Sequence, residues 1–150
     1  MEYGNTVWAP AKNEVGKIKQ IEKVQQRATK LVPGIADLPC DVRMKSLTLP
    51  SLEYRRRRGD MIETWKRFNG YYDDEYKWLI RDDNVKNLKY HNRKLFKKRL
   101  EKGNISNSFG VRVVDDWNKL PAAVVNAPTM DCFKNRLDRH WGHLLFNHRD

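Results

Sequence analysis

Four consecutive arginines, Arg55-Arg56-Arg57-Arg58, form the densest run of chemistry-bearing side chains in the sequence. A guanidinium keeps its charge at any ordinary pH, and its planar fork makes paired hydrogen bonds to phosphate or carboxylate. The run opens an amphipathic helix. Pro50 cannot continue a preceding helix, Ser51 is a good N-cap, and Glu53 suits the positive end of the helix dipole. Ile62, Trp65, Phe68 and Asn69 then keep helical spacing until Gly70 supplies a stop. At about 3.6 residues per turn, four successive arginines fan around nearly the whole cylinder. One or two are therefore expected beside packed structure with buried stems, the others presenting their guanidinium groups outward. Arg55, Arg56 and Arg58 are the candidates for phosphate contact. A solvated helix face with Glu53, Asp60 and Glu63 as partners accounts for the same run.

Two further basic clusters add to it. Lys19, Lys23, Arg27 and Lys30 recur at spacings of four, four and three, so they share one helical face, with Glu22 the only acid within the stripe. Such a face is either a solvated helix back or a rail for a phosphate backbone, and its single sign favours the rail. Residues 86–102 hold eight basic side chains against Glu101 alone, with Lys94, Lys97 and Lys98 interleaved among Leu95, Phe96 and Leu100. Contacts of this kind carry affinity without sequence choice.

The elements that must position these groups read as helices joined by proline-marked turns. Asn13 can cap a helix to about Val32, with Val15, Ile18, Ile21, Val24, Ala28 and Leu31 as its packing stripe. Pro33-Gly34 breaks it, and Pro39 begins a short helix through Met44 and Leu47, followed by the arginine helix from Ser51 to about Asn69. Phe109, Val113, Trp117 and Leu120 make one stripe that Pro121 ends. Thr129 caps a last helix carrying Met130, Phe133, Leu137, Trp141 and Leu144. Trp65, Phe68 and Trp117 read as core anchors, and Asn118 as closing its helix through local hydrogen bonds. The expected fold is mainly α: a small helical bundle over residues 1–70, a basic and partly flexible linker over 71–104, and a C-terminal helical segment over 105–150.

Bulk composition agrees with a nucleic-acid partner. Thirty basic and nineteen acidic residues give a net charge of +11. The excess is shared, since residues 1–70 hold 14 basic and 8 acidic side chains and the remainder hold 16 and 11. No stretch is long or apolar enough to cross a bilayer, so no membrane partner is expected. Cys40 and Cys132 lie far apart without a pairing pattern, which suits a reducing compartment, nucleus or cytoplasm. Cys132, His140, His143 and His148 lack the second nearby cysteine of a structural zinc site, so no metal or other cofactor is expected. No phosphate-binding glycine loop, nucleophile elbow or serine–histidine–aspartate layout is present.

Four ordered blocks resemble the region that follows the catalytic palm in non-LTR (LINE-type) retrotransposon reverse transcriptases, jockey-like clades especially. The first is Ile21-Glu22-Lys23-Val24-Gln25-Gln26-Arg27-Ala28-Thr29-Lys30 with Leu31 to Gly34 after it, and the second is Leu49 to Gly70. The third is Ser108-Phe109-Gly110-Val111-Arg112-Val113-Val114-Asp115-Asp116-Trp117-Asn118-Lys119-Leu120-Pro121, and the fourth runs from Ala127 to Asp138. Glu2-Tyr3, Val7-Trp8 and Pro10 resemble the family's entry into this region, whereas residues 71–104 match it loosely. The resemblance implies a thumb and post-thumb segment of an RNA-directed DNA polymerase. Its partners would be template RNA and primer DNA, together with the palm and fingers of the same polyprotein. It also implies that Met1 is not a natural domain edge.

The palm's metal-binding carboxylates lie upstream of these blocks in that family, so the chain is not expected to polymerise alone. Tyr71-Tyr72-Asp73-Asp74 spells the palm's Tyr-x-Asp-Asp signature, but it follows a polar helix exit where the motif needs a hairpin between apolar strands. Two other readings remain open. One is a stand-alone basic helical module, derived from a mobile element, that binds nucleic acid or a ribonucleoprotein. The other is a scaffold piece that is unstable without the palm.

Overall fold

The computed structural model describes residues 15–72, 91–96 and 108–145. It is mainly helical, with α1 at Val15–Thr29, α2 at Cys40–Ser46, α3 at Leu52–Phe68, α4 at Phe109–Asn118, α5 at Ala122–Val125 and α6 at Met130–His140. A 3-10 turn at Gly142–Leu144 follows α6. The boundaries follow from local chemistry. The Ser51 side chain accepts from the Tyr54 amide at 3.1 Å, and the Thr129 side chain accepts from the Cys132 amide at 3.2 Å. Pro39 stands at the N-cap of α2. Gly70 ends the arginine helix with φ +70°, a backbone conformation that glycine adopts without a Cβ penalty.

Helix α3 is the central element and packs against α1, α4 and α6. One apolar cluster gathers Met61 and Trp65 of α3, Val113 and Trp117 of α4, Leu120, Val125, and Phe133 and Leu137 of α6. Rings set its geometry. Phe68 stacks on Trp117 with centroids 5.2 Å apart, Trp65 stacks on Phe133 at 5.6 Å, and Trp141 meets Tyr54 edge-on at 6.4 Å. Of the two aromatic anchors expected on α3, Trp65 is a core residue and Phe68 packs half-buried against the core. The helix stands between the N-terminal elements and the C-terminal ones and contacts both.

Helix α1 turns only part of its expected apolar stripe inward, with Ile18 and Ile21 half-buried. Val24 is 51% exposed and Leu31 is 83% exposed, while Ala28 is also on the surface. The inward face continues through Glu22, Gln25 and Thr29, which with Ile18 are spaced four, three and four. Its contacts are polar. Gln25 donates from Nε2 to the Pro50 carbonyl at 3.1 Å, and Thr29 Oγ1 accepts from Arg43 Nε at 3.0 Å. Arg43, buried in α2, also donates to the Leu38 carbonyl and so ties the turn between α1 and α2 to both helices.

The stretch from His91 to Phe96 falls within the expected flexible linker, yet it is docked on the end of α4. Leu95 is 2% exposed and lies in the core cluster. Asn118 holds it with two bonds of 2.9 Å, accepting from the Leu95 amide and donating to the Leu95 carbonyl. The expectation that Asn118 closes its helix locally is therefore corrected. A primary amide offers a donor and an acceptor side by side, which matches one residue's extended backbone.

Trp117 touches Phe68, Phe133 and His91 and donates from Nε1 to the Arg93 carbonyl at 2.7 Å. Trp117→Ala should lower unfolding free energy by about 3–5 kcal/mol in urea denaturation followed by circular dichroism. A loss below about 1 kcal/mol would contradict this packing.

Candidate nucleic-acid interface

The four cations of α1 face solvent together. Lys19, Lys23, Arg27 and Lys30 are all exposed, the last in the turn just beyond the helix. At about 100° per residue they run from a quarter-turn away from the inward face, at Lys19, to nearly opposite it, at Arg27. Glu22, the one acid between them, points the other way, and its Oε1 accepts from the Glu53 amide in the first turn of α3 at 2.8 Å. A carboxylate there satisfies an orphan amide and lies at the positive end of the α3 dipole. The fold thus takes the acid out of the stripe and leaves one sign on the outward face.

The four arginines of α3 behave differently. None is exposed, and Arg56 is only 8% exposed. Arg57 places Nε and Nη2 on the two carboxylate oxygens of Asp116, each at 3.1 Å, with its guanidinium 5.1 Å from the Trp141 ring centroid. Arg58 grips Asp138 through Nε at 2.5 Å and Nη2 at 2.8 Å. The Tyr54 hydroxyl donates to the same carboxylate at 2.9 Å. Burial alone would lift the Asp138 carboxyl, but the hydrogen bonds from Arg58 and Tyr54 outweigh it and hold the group below the usual carboxylate range. For Arg56, burial pulls the guanidinium down, against the fields of Glu22, Glu53 and Asp60.

Of the carboxylates expected to answer the arginine run, Glu53 and Asp60 act on Arg56 through their fields, while Asp60 and Glu63 also bond cations outside the run. Asp60 takes both arms of Arg112, from α4, at 2.8 Å each. Glu63 accepts from Lys66 at 2.8 Å and from Tyr72 at 2.7 Å. Asp116, Asp138 and Arg112 are the groups that reasoning along the sequence missed. They lie 59, 80 and 52 residues from their partners, so no local spacing could have exposed them.

Arg55, Arg56 and Arg58 nevertheless converge on one feature, a groove of about 500 Å³ beside α3. Tyr54 and Asp138 complete its polar lining, and Pro50, Ile62 and Leu145 supply apolar wall. Lys94 is half-buried, with its ammonium turned to the Asn118 carbonyl. Lys97, Lys98, Asp73, Asp74 and His148 lie outside the described residues. Among the described residues no group of three histidine, cysteine, aspartate or glutamate side chains is placed to hold a metal ion, and no helix is long and apolar enough to cross a membrane.

Comparison with protein-family models, curated proteins and solved structures finds no match to this chain. What the geometry defines is a class: a basic helical bundle with one exposed cationic face and one arginine-lined groove.

Two measurements test these arrangements. Asp60 and Arg112 are about nine-tenths buried, so Asp60→Asn, which leaves a buried guanidinium without its carboxylate, should cost about 3–5 kcal/mol in chemical denaturation. The second concerns pH. His91 sits between the Trp117 carbonyl, 2.9 Å from its Nε2, and the Arg93 amide, which donates to its Nδ1 at 3.1 Å. That pairing requires the neutral ring with the proton on Nε2. Burial first, then Lys94 and Arg93, push its pKa below the ordinary value, against the Trp117 carbonyl. A depressed folded pKa means full stability above about pH 6.5 and loss as pH falls through the folded value. Hydrogen exchange at the Leu95 amide should accelerate on acidification from pH 7.5 to 5 once intrinsic rates are divided out. A flat corrected profile would refute the neutral-ring pairing.

Proposed function

We propose that this chain binds the sugar–phosphate backbone of nucleic acid without sequence choice, as the thumb and post-thumb part of a retrotransposon reverse transcriptase whose chemistry lies in a palm elsewhere. The observation that carries the reading is the α1 face: Lys19, Lys23, Arg27 and Lys30 exposed on one side with Glu22 turned inward. Spaced charges of one sign on a rigid helix displace condensed counterions from a phosphate backbone, so affinity depends steeply on salt. Template RNA and primer DNA are the proposed ligands, and Lys94 contributes less than its place in a basic run suggested.

The exposed Val24 and Leu31 favour a second reading, in which this flank of α1 packs on another part of a longer polypeptide and the chain serves as scaffold. A sharp, single thermal transition of the isolated chain favours the independent module, and a broad melt favours the scaffold.

Replacing Lys19, Lys23, Arg27 and Lys30 together by glutamine removes four cations and no packing. On a duplex of about 20 base pairs, the slope of log affinity against log salt should shrink by about 3 to 4. An unchanged slope would sink the backbone-rail assignment.

A further inference from the structure

The groove beside α3 has features that a backbone rail does not need. It is concave, it is lined by three arginines against one carboxylate, and one side is apolar. Its volume of about 500 Å³ suits a single small ligand. The carboxylate is informative. Asp138 puts its two oxygens on the two arms of Arg58 while accepting from Tyr54, which is the two-point contact that a phosphate group makes with a guanidinium. Its side chain is 38% exposed and that of Arg58 is 29% exposed, so the pair stands at the rim of the groove within reach of a solute.

We propose that the groove is a site for one nucleotide unit, its phosphate held by Arg58 with Arg55 and Arg56, and that Asp138 is an internal stand-in which the phosphate displaces. The proposal rests on the nucleic-acid reading for the choice of ligand, and on the groove alone for the place. Pro50, Ile62 and Leu145 give the base an apolar surface, and the phosphate enters beside Arg56, a cation that burial has stripped of much of its hydration. Partly exposed ion pairs hold weakly against a competing anion, so Asp138 tunes occupancy and does not block it. The carboxylate leaves toward solvent when the ligand arrives and returns when it departs.

The test uses the full chain with three probes: inorganic phosphate, a nucleoside 5′-monophosphate, and the nucleoside lacking phosphate, each followed by calorimetry. The monophosphate should bind with one-to-one stoichiometry and more tightly than inorganic phosphate, and the nucleoside alone should not bind measurably. Asp138→Asn keeps an oxygen for Tyr54 but removes the competing charge, so it should tighten monophosphate binding about fivefold, the affinity equivalent of one partly exposed ion pair. Arg58→Gln should abolish that binding while the thermal melt shows the chain still folded, and the Arg58→Gln, Asp138→Asn double variant should stay inactive. Binding of inorganic phosphate as tight as that of the nucleotide would overturn the nucleotide assignment, leaving a simple anion site. No monophosphate binding by either the parent chain or Asp138→Asn would overturn the groove proposal entirely. The duplex salt slope of the α1 variant is a separate readout, so failure in the groove with a normal slope response leaves the rail standing, and the converse result isolates the groove.

Discussion

One helix has to be two things at once. Helix α3 is the wall against which α1, α4 and α6 all pack, and it is also the most densely charged stretch of the sequence. Helical geometry forbids burying Met61, Thr64 and Trp65 while keeping Arg55 to Arg58 in water on one side, because four successive positions cover the cylinder. The fold resolves this by bringing carboxylates in from other helices. Asp116 of α4 answers Arg57, Asp138 of α6 answers Arg58, and α3 returns the arrangement through Asp60 to Arg112. Each contact is two-pointed, which fixes angle as well as distance. The aromatic stacks join α3 to α4 and α6, and these pairs help select which faces meet.

Pairing inside the bundle changes where the basic excess is felt. The strongest positive run in the sequence is largely answered within the fold, whereas the weaker-looking run on α1 keeps its field. A count of lysines and arginines along the chain therefore ranks the two regions in the wrong order for long-range attraction. The decisive detail is small. Glu22 leaves the stripe because an amide at the start of α3 needs an acceptor.

What could be read in advance was what depends on near neighbours. Ser51 and Thr129 as caps, Pro39 ahead of α2, Gly70 as a stop, and the stripe of Phe109, Val113, Trp117 and Leu120 are all set within a turn or two of the residues that signal them. The phase of α1 was legible only in part: Ile18 and Ile21 are half-buried, but Val24 and Leu31 resemble a core stripe while the contacts that orient the helix are polar, through Glu22, Gln25 and Thr29. Residues 91–96 looked like linker because lysine, arginine and asparagine dominate them, yet one amide and one buried leucine suffice to dock them. The groove was invisible for a different reason. Its floor comes from α3, but Asp138 and Leu145, which give it a rim and a wall, sit some eighty residues later.

Glu22 also couples two parts of the molecule mechanically. Its carboxylate is bonded to the first turn of α3, while the residues on either side of it, three before and one after, belong to the cationic face. Rolling α1 about its axis would re-aim Lys19 and Lys23, and it would take the acceptor from the Glu53 amide in the same movement. The helix is therefore indexed: the angular setting of its charges is tied to the integrity of a neighbour's end. A surface built this way presents its charges at one fixed azimuth.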